Sequence, residues 1–179
     1  MLVEDLRSPC TEEVAVFQAL SRVINESRRT FVVVDTAPTG HTLLLLDATG
    51  SYHREVARQL GEGVHFTTPL MRLQNPDETK VILITLAEET PVLEAAGLQA
   101  DLERADIHPW AWVVNNSLAA AAPASPLLRQ RAASELAEID TVKREHAHRY
   151  AVVPLLPTEP VGIPALRLLS SIQGAALTP

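Results

Sequence analysis

"FVVVDTAPTGHTLLLLDATG", residues 31–50, decides how the chain is read. Phe31 and three β-branched valines form a short apolar run that stops on Asp35. A loop containing Pro38 and Gly40 follows at once, and an apolar run resumes at Leu43. A continuous apolar run of this length suits a strand covered on both faces in a parallel sheet. An aspartate closing such a strand lies at its carboxyl end, where open α/β sheets bind ligands.

Three more runs share the pattern: Val81–Leu86, Trp110–Asn115 and Ala151–Leu155. Helical spacing fills the segments between them. In Thr11–Ser27, Val16, Leu20 and Val23 fall on one stripe, and Pro91–Arg104, Pro126–His148 and Ile163–Gln173 read as further helices. Ser8-Pro9, Thr90-Pro91 and Ser125-Pro126 each pair an N-cap residue with a proline suited to the first helical position. Strands alternating with helices predict right-handed βαβ units, hence an α/β fold with a parallel sheet. Tyr52–Lys80 reads as a short helix and a long loop, and the Ala/Pro-rich Ser117–Pro126 as a surface loop. Neither a repeat nor a linker divides residues 1–179, so a single domain is expected.

Composition narrows the function. Apolar residues make up 46% of the chain but aromatics only 4%, so the core must be aliphatic. The net charge of −7 and scattered Lys and Arg argue against a nucleic-acid or anionic-membrane surface. No apolar run approaches the roughly 18 residues of a membrane span. One cysteine, Cys10, excludes an internal disulfide framework. A cytoplasmic protein is the expectation.

Asp35 resembles the carboxylate that orders a Mg²⁺-bound water in P-loop NTPases, although such an aspartate also serves simply as a cap. Gly40 lies five residues on, where its amide could approach a terminal phosphate without an intruding side chain; the alternative is a turn that needs glycine for steric reasons.

"DTAPTGHT" at Asp35–Thr42 resembles the signature of the arsenical pump-driving ATPase (ArsA) family. "SPCTEEVAVFQA" from Ser8, "LLLLDATGSYHRE" from Leu43, "TPVLEAAGLQADLERADIHPWAWVVNNS" from Thr90 and "VVPLLPTEP" from Val152 are similar to the second ATPase half of its two-half members. None of the seven glycines belongs to a loop ending in Gly-Lys-Ser/Thr. The family carries that loop on the first strand of each half. The resemblance therefore implies the C-terminal part of one half: a partial P-loop NTPase-type sheet flanked by helices and lacking the P-loop strand–helix unit.

It also implies roles. Asp35 would order water on Mg²⁺, and Gly40 would sense phosphate. Asn115 resembles the family's adenine-reading asparagine, whose carboxamide offers a donor and an acceptor to the base edge; by position alone it is equally a strand-end cap. Pro154, Leu155 and Leu156 would wall the adenine pocket. Cys10 matches a metalloid ligand, as do His41 of "TGHT" and Ser8 of "SPC". In the first turn of a helix Cys10 would favour its thiolate, a soft ligand for As(III) or Sb(III), whereas a lone cysteine otherwise packs as a small hydrophobe. One cysteine cannot complete a trigonal thiolate site, so other ligands would come from the other half. His53, His65, His108, His146 and His148 read as surface or helix residues.

The function implied is the nucleotide-binding and switch part of an arsenite- or antimonite-stimulated ATPase. Its cofactors would be ATP and Mg²⁺. Its partners would be the upstream P-loop-containing part and a membrane efflux pump that holds it at the membrane periphery, with no nucleic acid; a homo-oligomer stays open. The alternatives are the branch that targets tail-anchored proteins and a catalytically inactive interaction fragment. The targeting branch typically carries a Cys-x-x-Cys zinc pair and a Met-rich client region, whereas this chain has one cysteine and only Met1 and Met71.

Overall fold

The structure is a computed structural model that describes residues 19–27, 29–36, 50, 51, 54, 58 and 67–171, with side chains to 167. The chain divides into two compact units, one of residues 1–79 and 101–107, the other of 80–100 and 108–179.

In the first unit the chain is helical over 19–26, with Leu20 and Val23 half-buried and Ile24 buried. In the 52–80 segment, where a short helix and a long loop are expected, Arg54 and Arg58 are helical and a further helix, α1, spans Pro69–Gln74. Thr68 caps it, its side chain accepting from the Met71 amide, and Pro69 occupies the first turn, where its missing N–H costs nothing. Arg72 is buried and paired with Glu78 at 2.8 Å. The end of the helix Glu89–Arg104, α2, also lies here. It closes in a Schellman motif: the Ile107 amide donates to Leu102 and the Asp106 amide to Glu103, with Asp106 left-handed at φ 58°. Leu102 and Ile107 are both buried, the apolar pairing that accompanies this motif.

The expected strand Phe31–Asp35 is not a strand here. Residues 31–36 join no ladder among the described residues, and Phe31, Val33 and Val34 are exposed. Composition sets strand propensity, but a strand exists only where neighbouring backbone accepts and donates its hydrogen bonds.

The second unit contains a three-stranded parallel sheet in the order β1-β2-β3: β1 is Ile82–Leu86, β2 Ala111–Ser117 and β3 Tyr150–Pro154. The helix α2, Glu89–Arg104, connects β1 to β2. Between β2 and β3 come α3, Leu118–Ala121, and α4, Pro126–Thr141, extended by a π-helical turn over Val142–His146. The helix α5, Gly162–Ser171, follows β3. The expected surface loop after Ser117 thus contains α3, which ends on a left-handed Ala122. Thr90 lies inside the first turn of α2 rather than capping it, since Glu89 is already helical. Ser125 does sit at the N-cap of α4, although its side chain makes no capping bond.

Leu83, Thr85, Trp112, Val114 and Val152 are buried on the strands. Trp112 is 1% exposed; its indole N–H donates to Gln99 Oε1 at 2.9 Å, and His146 stacks on it at 5.4 Å. An indole this deep needs a partner for its one polar atom, and α2 supplies it. The alternate residues Ile82, Ile84 and Leu86 of β1 are exposed, with Ile84 at 65%. Coverage on both faces was expected from the uninterrupted apolar runs; β1 is buried on alternate residues only.

Candidate functional site at the carboxyl edge of the sheet

Asn115 lies at the carboxyl end of the central strand, opposite Leu86, the last residue of β1. Past Asn115, β2 has no ladder with β1. The strand then bulges: its pairing with β3 passes from Val114↔Val152 to Ser117↔Pro154, and Asn116 takes a left-handed φ of 55°. Asparagine tolerates that conformation better than most side chains. The bulge re-aims the end of the strand, as such irregularities do near binding sites.

Ser117 ties this corner together. It is 1% exposed. Its carbonyl accepts from the Leu155 amide at 2.9 Å. Its hydroxyl accepts from the Ala120 amide at 3.1 Å, capping α3, and donates to Glu135 Oε2 at 2.8 Å. The same carboxylate oxygen accepts from the Ala119 amide at 3.0 Å. Glu135 is 8% exposed. A carboxylate buried without donors costs several kcal/mol; two convergent donors, one a hydroxyl and one a backbone amide, offset that cost. Sequence reading missed Glu135 and Ser117. The available signal was a glutamate three residues after Ala132 on α4, at the spacing of the buried stripe.

Of the expected base-pocket residues, the structure brings Asn115, Pro154 and Leu155 to one corner, on adjacent strand ends joined by the Ser117–Leu155 bond. Asn115, Pro154 and Leu156 are half-buried, and Leu155 is exposed. Asp35 belongs to the other unit and is exposed. Gly40, Ser8, Cys10 and His41 lie outside the described residues.

Beside the carboxyl end of β1 is a cleft of about 220 Å³, lined by Ala87, Glu88, Glu89, Arg131, Ser134, Glu135 and Glu138. Arg131 reaches across to Glu88 at 2.9 Å, an exposed pair of about 0–1 kcal/mol. Four carboxylates against one guanidinium make this lining unfavourable for a bare polyphosphate. It is not a phosphate cradle.

A parallel sheet with a helix after each strand and polar groups at its carboxyl edge is the architecture of P-loop NTPase-type α/β proteins, here in partial form. The chain belongs to the anion-transporting ATPase family, whose model matches residues 1–72 and 50–173. It is 67% identical over 170 residues to an arsenical pump-driving ATPase of Escherichia coli, covering 95% of this chain and 29% of that protein. A protein of the same name from Acidiphilium multivorum is 67% identical over 171 residues, covering 96% of this chain and 29% of the relative. A putative arsenical pump-driving ATPase of Halobacterium salinarum is 28% identical over 182 residues, covering 96% of this chain and 28% of its own length. The chain thus spans under a third of these relatives. No helix among the described residues is long and apolar enough to cross a membrane.

Proposed function

We propose that this chain is the nucleotide-base and switch part of an ATP-hydrolysing half of an arsenite- or antimonite-stimulated ATPase that drives a membrane efflux pump from the cytoplasm. The observation that carries the reading is the corner where Asn115, the last residue of β2 paired with β1, stands two residues before Ser117, whose carbonyl holds the Leu155 amide. A carboxamide and an adjacent apolar strand end suit an adenine, whose edge needs one donor and one acceptor and whose faces need apolar contact. Pro154, Leu155 and Leu156 would supply that contact. The names and similarity of the relatives support the metalloid and pump assignments.

The residues 1–179 form one functional domain fragment in this reading, completed by the upstream P-loop-containing part of the same half. The exposed apolar residues Ile82, Ile84 and Leu86 on β1 support this, since burying them would complete a parallel sheet of the usual two-sided kind. Asp35 would order water on Mg²⁺, a hard cation suited to a carboxylate and phosphate oxygens. Its exposure leaves the carboxylate accessible for that role. Gly40 would present an amide to the terminal phosphate.

Asn115→Ala in the full-length ATPase tests the base site. The KM for ATP should rise about tenfold and the preference for ATP over GTP in kcat/KM should fall, as expected when a base-edge hydrogen-bond pair is lost. Unchanged KM and preference would reduce Asn115 to a strand cap.

Ser8, Cys10 and His41 are the proposed metalloid ligands, completed from the other half. Bound metalloid would favour the closed arrangement of the halves and hold the loop next to phosphate, which links arsenite to the hydrolysis rate. Cys10→Ser should therefore lower the stimulated-to-basal rate ratio and shift the activation curve to higher As(III) or Sb(III). His41→Ala should do so more mildly, because imidazole is a poorer partner for a soft centre. The measurement is ATPase rate against metalloid concentration. An unaltered curve for Cys10→Ser would favour the tail-anchored targeting branch.

A further inference from the structure

We infer that Glu135 is a positioning residue for base recognition, acting on Asn115 and Leu155 through Ser117. The inference rests on the proposed base site and extends it to a residue that touches no nucleotide. Asn115 is the last residue of β2 held by β1. Two residues later the chain is fixed only if Ser117 is fixed, because the intervening Asn116 is left-handed and the ladder with β3 is interrupted there. Ser117 in turn holds Leu155 by its carbonyl and α3 by its hydroxyl. Glu135 Oε2 receives both the Ser117 hydroxyl and the Ala119 amide, at 2.8 and 3.0 Å. One buried carboxylate oxygen on α4 thereby locks the strand end, the start of α3 and the neighbouring strand end in one arrangement. Without it, the hydroxyl proton of Ser117, a residue only 1% exposed, and the Ala119 amide both lose their acceptor, and the corner shifts to satisfy them.

Position matters more than stability for this role. Base recognition depends on placing a carboxamide to within a fraction of an ångström, which a loosened bulge does not do. The effect therefore falls on nucleotide affinity and base preference more than on turnover at saturation.

The test uses the full-length ATPase with Glu135→Ala, Glu135→Gln and Asn115→Ala, measuring kcat and KM with ATP and with GTP. Glu135→Ala should raise the KM for ATP about three- to tenfold and lower the ATP preference in the same direction as Asn115→Ala. Glu135→Gln keeps an acceptor oxygen but loses the charge, so it should give an intermediate shift of about two- to threefold. A drop in kcat alone, with KM and base preference unchanged, would mean that Glu135 only supports folding, and the inference fails. Should Glu135→Ala not fold, Glu135→Gln decides by the same criterion. If Asn115→Ala shifts the base preference and neither Glu135 variant does, the inference falls alone. If Asn115→Ala shifts nothing, the base site itself is wrong and the inference falls with it.

Discussion

Asp35→Asn in the full-length ATPase is expected to lower kcat by about 10²- to 10³-fold, the usual scale for removing one group that stabilises developing charge. The substitution preserves the shape of the side chain and removes its charge. If Asp35 orders the water shell of Mg²⁺ during phosphoryl transfer, the loss appears in kcat, with a smaller effect on the KM for ATP. Asp35 is exposed in this structure, so the exchange is expected to leave the fold intact. Circular dichroism and thermal unfolding should match the unsubstituted enzyme. Hydrolysis at the original rate would show that Asp35 is only a cap.

The second large effect concerns residues 1–179 alone, for which no ATP turnover above the uncatalysed rate is expected. Phosphoryl transfer is catalysed by positioning and by charge stabilisation, and in P-loop enzymes the amides and lysine of the Gly-rich loop hold the β- and γ-phosphates. No glycine of this chain is followed by lysine, and the cleft beside β1 presents mostly carboxylates. At most, weak adenine-nucleotide binding is expected at the Asn115 corner. Phosphate release by the purified chain, resistant to removal of contaminating ATPases, would overturn the assignment of the phosphate cradle to another segment. Calorimetric titration with ATP would report the residual binding separately.

Asp35→Asn and Asn115→Ala probe different units of the chain. Asp35 lies in the first and Asn115 in the second. A loss confined to kcat in one variant and to KM and base preference in the other would assign metal ordering and base reading to separate segments, as proposed.

Local chemistry determined much of this protein from sequence alone. Val81–Leu86, Trp110–Asn115 and Ala151–Leu155 are short apolar runs; the first contains β1, and the other two overlap β2 and β3, which run on to Ser117 and start at Tyr150. Ser125-Pro126 marks the start of α4 because a proline at the first helical position loses no hydrogen bond. Motif matches along the chain point to the family from sequence alone, since they reflect residue types at fixed spacing. Tertiary structure alone decided the rest. Phe31–Val34 has strand composition but no ladder here, because pairing is a property of two segments and composition belongs to one. The bulge after Val114 and the left-handed Asn116 follow from how β2 meets β3 and α3. Glu135 reads in sequence as one more helical carboxylate among the 22 acidic residues. Only folding brings it, eighteen residues on, to the Ser117 hydroxyl and the Ala119 amide, where burial turns an ordinary charge into the anchor of the corner.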